Sequence, residues 1–218
     1  DHKLNLIDSP GADDFYGDLE SVLRVVDGVV VIVDATTGVE GGTEKVWEII
    51  EKYNLPAAVF INKMDKENAN FADALESVKN TLEVSTATTL LPIGQESDFS
   101  GVVDVVQMKS SLRPSGNEPQ PDSDIPASME DDVEEIREEL VEVVAESDDD
   151  LIEKYFEEGE LSSQEILLGI QGAFRNKVRI VPVLCGSALE NIGVQNLMDF
   201  VVECFPSPED VGIIAVSY

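Results

Sequence analysis

Residues 57–65 are Ala-Ala-Val-Phe-Ile-Asn-Lys-Met-Asp, five apolar residues that run directly into a polar group. A short uninterrupted apolar run predicts a β-strand that is buried on both faces of a parallel sheet. The polar group then lies at the carboxyl end of that strand, which is the edge where open α/β sheets bind ligands. This stretch therefore predicts an α/β fold with a binding site at one edge of its sheet.

The polar group Asn62-Lys63-Met64-Asp65 has the chemistry to recognise a purine base. The Asp65 carboxylate can accept two in-plane hydrogen bonds, which matches the N1–H and exocyclic amino group of guanine but not adenine. The Asn62 amide can bond N7 of the base or tie neighbouring loops together, and the Lys63 stem can cover the face of the base. The alternative is an ordinary strand-to-helix turn in which Asp65 is a helix N-cap.

Strand and helix patterns alternate on both sides of this stretch. Strands are predicted at Lys3–Ile7, Val29–Asp34 and Val178–Cys185, and helices at about Tyr16–Val26, Thr43–Tyr53, Phe71–Leu82 and Gly193–Phe205. Thr43 is the predicted cap of its helix, and Trp47 is predicted to lie in the core. Alternating strands and helices indicate a mostly parallel sheet flanked by helices.

The pattern changes between about Thr88 and Gln171. Strands are predicted at Leu90–Ile93 and Gly101–Met108, followed by an exposed loop at Ser110–Ser128. Residues 129–160 hold 16 acidic and two basic residues, a net charge of −14. They contain an amphipathic helix and a second helix at Leu151–Glu158, and a third helix, which Ser162 or Ser163 could cap, follows them through Phe174. We interpret the acidic run as a solvated face rather than a metal site.

The whole chain carries a net charge of −31, so direct sequence-specific binding of nucleic acid by this chain is not expected, whereas a basic protein partner is compatible with it. Cys185 and Cys204 provide no disulfide framework, which suits a cytoplasmic protein. The sequence has no run of 18 or more apolar residues, so no membrane span is predicted. The chain has no initiator Met, and we expect it to be a piece of something longer.

Three polar signatures follow predicted strands: Asp8-Ser9-Pro10-Gly11, Asn62-Lys63-Met64-Asp65 and Gly186-Ser187-Ala188. Asp8 can hold Mg²⁺ through a water, and the Gly11 N–H can face a γ-phosphate because no Cβ blocks the approach. The Ser187 and Ala188 backbone can donate to guanine O6. The first and third signatures alone are compatible with ordinary turns, but the ordered set predicts a guanine-nucleotide site.

On these motifs the sequence resembles the translational GTPases, most closely the G domain of elongation factor G. The resemblance rests on Asp8-Ser9-Pro10-Gly11 with Asp14-Phe15, Val26-Asp27-Gly28, Asn62-Lys63-Met64-Asp65, Ala69-Asn70-Phe71, Gly101-Val102-Val103-Asp104, Gly186-Ser187-Ala188, Gly193-Val194-Gln195 and Pro206-Ser207-Pro208. It implies a P-loop NTPase G domain, GTP or GDP with Mg²⁺ as cofactors, and GTP-driven work on the ribosome, in translocation or a related step.

The resemblance also implies a division of the chain. Residues 1–94 and 172–208 would form the G domain core, and residues 95–171 an α+β insertion of the G′ type. In the family, a helical face of that insertion meets the stalk protein of the large ribosomal subunit. Residues 209–218 would begin the linker to domain II.

Two departures from the family pattern qualify this expectation. The phosphate-binding motif GxxxxGK[ST] is absent, so we expect an N-terminally truncated G domain that lacks this loop and the first switch. Alone, this chain is expected to bind GTP poorly or not at all and to lack GTP hydrolysis. Ala12 stands where the family has a histidine that positions the attacking water. This change suggests a paralogue of elongation factor G. The alternatives are a non-catalytic ribosome or protein-interaction module and a ribosome-protection GTPase.

Overall fold

The computed structural model describes residues 2–9, 16–113 and 122–211. The strands are β1 (Val29–Asp34), β2 (Ala57–Asn62), β3 (Ser85–Thr88), β4 (Leu90–Ile93), β5 (Gly101–Asp104), β6 (Lys109–Leu112) and β7 (Ile180–Cys185). The helices are α1 (Tyr16–Leu23), α2 (Gly41–Tyr53), α3 (Phe71–Leu82), α4 (Glu130–Ala145), α5 (Asp149–Glu158), α6 (Ser163–Asn176), α7 (Val194–Cys204) and α8 (Pro208–Val211). A 3₁₀ turn spans Glu96–Asp98.

The main sheet has four parallel strands in the order β1-β2-β7-β3. Strand β2 is buried from Ala57 to Ile61, and β7 is buried along its whole length. Continuous apolar strands belong at the centre of a helix-covered sheet, which is where both of them lie. The predicted mostly parallel sheet flanked by helices is confirmed, and Trp47 is buried in its core at 7% exposure.

A second sheet is antiparallel, with the order β4-β5-β6. Thr89 joins the two sheets because its N–H donates to Val183 O of β7 at 2.9 Å, while its own carbonyl accepts from Val105 N at 3.0 Å. Buried residues of both sheets form one continuous hydrophobic cluster. The second sheet is therefore packed onto the first and shares its core.

The acidic segment folds as predicted into helices α4 and α5, and the predicted third helix follows it as α6. Helix α4 buries Val133, Leu140 and Val144, and it packs against β3 and α6. Ser162 caps α6 in a reciprocal capping box with Glu165, so Ser162 rather than Ser163 is the cap. The Arg137 guanidinium turns inward and donates to the carbonyls of Val105 and Val106 at 2.6 and 2.9 Å.

Three predictions for the first part of the chain are wrong. Residues 3–7 form no strand, and Leu6 and Ile7 are 77% and 54% exposed; among the described residues no strand pairs with them. Helix α1 ends at Leu23 rather than Val26. Helix α2 begins at Gly41 with Glu40 as its N-cap, not at Thr43.

The other differences concern the insertion and its approach. Strand β5 ends at Asp104 because that carboxylate accepts from Gln107 N at 2.8 Å and turns the chain. Strand β6 (Lys109–Leu112) includes the first three residues of the predicted loop and pairs with β5. Strand β3 was not predicted; it is short, and its sequence Ser-Thr-Ala-Thr lacks the apolar run of its neighbours.

Both cysteines are buried and unpaired. Burial raises the pKa of each thiol, to about 12 for Cys204, so both are inert core residues at neutral pH. Within the described ranges, no helix is both long and apolar enough to span a bilayer.

Candidate functional site

Two loops at the carboxyl edge of the main sheet are bonded to each other. The first follows β2 and contains Asn62-Lys63-Met64-Asp65, and the second follows β7 and contains Gly186-Ser187-Ala188. Met64 N donates to Gly186 O at 3.2 Å, and Gly186 N donates to Ile61 O at 3.0 Å. Adjacent parallel strands end at the same edge, so two of the three predicted signatures are brought together.

Asn62 is the side chain that joins the two loops. Its Oδ1 accepts from Lys63 N at 2.8 Å and from Ala188 N at 2.9 Å. These contacts show the loop-tying role, while the predicted bond to N7 of a base, which would use Nδ2 rather than Oδ1, stays a prediction. A single oxygen with two backbone donors fixes the separation of the loops without another side chain.

Asp65 is half-buried, and its Oδ1 is shielded from solvent with no hydrogen-bond partner. It is not a helix N-cap, because α3 begins six residues later and its cap is Asn70, whose Oδ1 accepts from Asp73 N at 3.2 Å. A buried carboxylate oxygen without a donor is unusual in a folded protein. The unpartnered oxygen fits a ligand that brings its own N–H groups, as guanine does.

Lys63 has a left-handed backbone with φ of 66°, and its Nζ donates to Asp34 Oδ2. Burial acts to raise the pKa of Asp34, but the hydrogen bonds from Lys63 and Thr36 outweigh it and lower the pKa to about 2, and Asp34 in turn raises the pKa of Lys63. Asp34 was not among the predicted site residues. The feature that could have identified Asp34 as a site residue was its position as the last residue of an apolar strand adjacent to β2.

The second loop holds its shape through its own backbone. Ser187 is fully buried, and Ser187 and Ile192 exchange two N–H to O bonds of 3.0 Å each. A Cβ on Gly186 would lie 2.2 Å from Ile192 O, so only glycine fits there. The Ser187 and Ala188 N–H groups thus already donate within the protein, and a bond from Ala188 to guanine O6 would be shared with Asn62.

The antiparallel sheet contacts both loops. Glu96 N donates to Met64 O at 3.0 Å, and Glu96 Oε1 accepts from Asn68 N at 2.8 Å. Arg113, after β6, forms an ion pair with Glu190 at 3.0 Å. The segment predicted as an insertion therefore supports the loops of the site from outside the main sheet.

The predicted phosphate and Mg²⁺ side is not assembled in the part of the chain that the structure describes. Asp8 is exposed in an irregular segment. Gly11 and Ala12 lie outside the described residues. No group of three or more His, Cys, Asp or Glu suited to a metal ion occurs in the described ranges. Asp8 as a water-mediated Mg²⁺ ligand stays a prediction.

An unpartnered carboxylate oxygen beside an asparagine that ties two loops, at the carboxyl edge of a parallel sheet, is compatible with a guanine base, and the family match assigns the chain to the translational GTPases. The family described as "Elongation factor Tu GTP binding domain" matches residues 1–207, and the chain belongs to that family. A crystal structure of a protein from Thermus thermophilus is similar over 94% of this chain, with 30% identity and a TM-score of 0.84. The chain spans 30% of the length of that protein.

Replacing Asn62 by Ala should destabilise the protein by about 1–3 kcal/mol, because two backbone N–H groups lose their acceptor. Asn62→Asp keeps an oxygen at the same place and is the matched control. Urea unfolding of the two variants measures the difference. Equal stability of Asn62→Ala and the unaltered chain would contradict the role of Asn62 as the tie between the loops.

Proposed function

We propose that this chain is the guanine-nucleotide-binding part of an elongation-factor-G-like GTPase that acts on the ribosome in translocation or a related step. The observation that carries the proposal is the unpartnered Asp65 oxygen beside the Asn62 tie, at the edge where parallel sheets bind ligands. Asp65 and Asn62 are assigned to the base, with the Lys63 stem on its face and the Ser187-Ala188 backbone at O6. Asp8 and Gly11 are assigned to Mg²⁺ and the γ-phosphate of GTP.

We also propose that the helical part of residues 95–171 faces the stalk protein of the large ribosomal subunit. Residues 129–160 have a net charge of −14, which suits a basic partner. Phe156 on α5 and Leu168 on α6 are 80% and 53% exposed, so an acidic surface also offers apolar contacts. The same charge disfavours direct contact with nucleic acid. We assign the protein to the cytoplasm, because work on the ribosome requires it there.

The phosphate-binding loop is assigned to a part of the protein outside this sequence, since the 218 residues contain no GxxxxGK[ST] motif. That loop supplies most of the backbone N–H groups and the lysine that hold the β- and γ-phosphates. Strand β1 forms one edge of the main sheet, and among the described residues no strand pairs with its outer side. Its Ile32 is 54% exposed. This edge is compatible with an additional parallel strand.

The isolated 218-residue chain is expected to show no micromolar binding of GTP·Mg²⁺, because the base contacts alone leave the phosphates unheld. Calorimetric titration measures this directly, with the full-length protein as the positive control. A micromolar site on the isolated chain would contradict the assignment of phosphate binding to a segment outside it.

Asp65→Asn in the full-length protein should weaken GDP binding by about 10²-fold, the cost of two mismatched hydrogen bonds. It should strengthen binding of xanthosine diphosphate, whose C2 carbonyl accepts from the new amide N–H. Asp131→Asn on the exposed side of α4 is the matched control. If base preference is the same in Asp65→Asn and the control, Asp65 does not recognise the base.

Ala12 can neither donate nor accept a hydrogen bond, and loss of a group that positions water costs about 10²–10⁴ in rate. We therefore expect slow ribosome-stimulated GTP hydrolysis in the full-length protein, or hydrolysis through another residue such as Asp13 or Asp14. Ala12→His should raise the single-turnover rate. An unchanged rate would count against this explanation.

Ala12 also favours the second candidate, a ribosome-binding module that no longer turns over GTP. The intact Asn62–Asp65 group favours retained nucleotide binding instead. A nucleotide-exchange assay on the full-length protein distinguishes the two. A ribosome-protection GTPase is the third candidate, and the predicted insertion at residues 95–171 favours the elongation-factor-G type through family resemblance alone.

A further inference from the structure

We propose that Asp34 is a positioning residue for the nucleotide site: it fixes the Lys63 side chain so that the lysine stem forms one wall of the base pocket. The inference rests on the proposed function and deepens it. It assigns a role to a residue outside the Asn-Lys-x-Asp group, on the neighbouring strand.

Asp34 is well placed for this because the sheet itself sets its distance from the site. It is the last residue of β1, in register with Asn62 of β2, and the next residue continues the ladder through Ala35 N to Asn62 O at 2.9 Å. The Asp34 backbone is therefore held by the sheet, and only its short side chain is free to change the position of the carboxylate relative to Lys63 Nζ.

The Asp34 carboxylate is itself held in one orientation. Its Oδ1 accepts from Thr36 N at 3.0 Å and from Thr36 Oγ1 at 2.8 Å, which leaves Oδ2 directed to Lys63 Nζ. Three donors on two oxygens prevent the carboxylate from rotating freely. The acceptor offered to the lysine is thus preorganised before any ligand arrives.

Lys63 is consequently restrained at both ends. Its backbone N–H is bound by Asn62 Oδ1 at 2.8 Å and its ammonium by Asp34, while its side chain is still 43% exposed. A lysine stem stretched between two fixed points presents its methylene groups as a flat apolar surface. Without Asp34 the stem would sample many rotamers, and binding would have to order it.

The charges around the pair keep it intact near neutral pH. The hydrogen bond and charge of Asp34 raise the pKa of Lys63, and Glu40 adds to this, whereas desolvation opposes it. The pKa of Asp34 is lowered to about 2. Both partners are therefore charged across the range in which a nucleotide would bind, and the restraint needs no proton transfer.

The role of Asp34 differs from that of Asp65 in its expected effect. A wall under the base contacts any purine, whereas the in-plane carboxylate of Asp65 selects guanine. Loss of Asp34 should weaken the binding of guanine and xanthine nucleotides by the same factor and leave the ratio of the two affinities unchanged.

The test is a double-mutant cycle on GDP affinity in the full-length protein, with Asp34→Ala, Lys63→Ala and the double variant. Asp34→Ala should weaken binding roughly 3- to 10-fold, the scale expected for ordering one long side chain on binding. In the Lys63→Ala background the same change should have no further effect. A full effect of Asp34→Ala in both backgrounds would overturn the proposal, because Asp34 would then act independently of the lysine.

A second readout does not require nucleotide. In the 218-residue chain, the pKa of the Lys63 ammonium, followed by NMR of its Cε, should fall toward the ordinary value in Asp34→Asn. Asp131→Asn on α4 is the matched control, since it removes an exposed carboxylate elsewhere and leaves the Asp34–Lys63 pair intact. An unchanged Lys63 pKa in Asp34→Asn would overturn the proposal.

The experiment distinguishes a failure of the proposed function from a failure of the role assigned to Asp34. If the unaltered full-length protein binds no GDP, the proposed function fails and the role of Asp34 in the site fails with it. If that protein and Asp34→Ala bind GDP equally, the role of Asp34 alone is overturned and the proposed function stands.

Discussion

The site depends on one side-chain oxygen, Asn62 Oδ1, that accepts from the backbone on both sides of the gap between two loops. Everything else at this edge is arranged around that contact. The loops come from β2 and β7, which are neighbours in the sheet but far apart in the chain. The sheet brings the loops near each other, and the amide sets their spacing. Asp65 then occupies a place where no protein group satisfies its buried oxygen.

The local environment divides the polar residues of this edge into two kinds. Asn62 Oδ1, the Asp34 carboxylate and the Ser187 hydroxyl accept hydrogen bonds within the protein and maintain its geometry. Asp65 has unused hydrogen-bonding capacity, which is what a binding group needs before its ligand arrives. This contrast, rather than the motif letters themselves, is the physical argument for a guanine site, and family membership agrees with it.

The central strands were predictable because their apolar runs are long and unbroken, and the Ser162 cap was predictable because Glu165 completes a capping box. The short strand β3 and the strand β6 were not, because their burial comes from contacts with distant residues that a local pattern does not contain. Lys3–Ile7 alternates like a strand but has no partner in the described residues, so the alternation was insufficient. In the site, the loop-tying role predicted for Asn62 depends on the position of Ala188, which is 126 residues away along the chain and not given by any local pattern. The contribution of Asp34 depends on the register between β1 and β2, which the sequence does not state.

The bonds from Glu96 to the first loop and from Arg113 to Glu190 in the second have a mechanical consequence. Glu96 lies in the turn between β4 and β5 and Arg113 follows β6, so both contacts flank the antiparallel sheet and restrain the two loops that Asn62 joins. A pull on that sheet by any bound partner would strain both loops at once and alter the spacing between them. The antiparallel sheet is therefore mechanically coupled to the two loops that are proposed to hold the base.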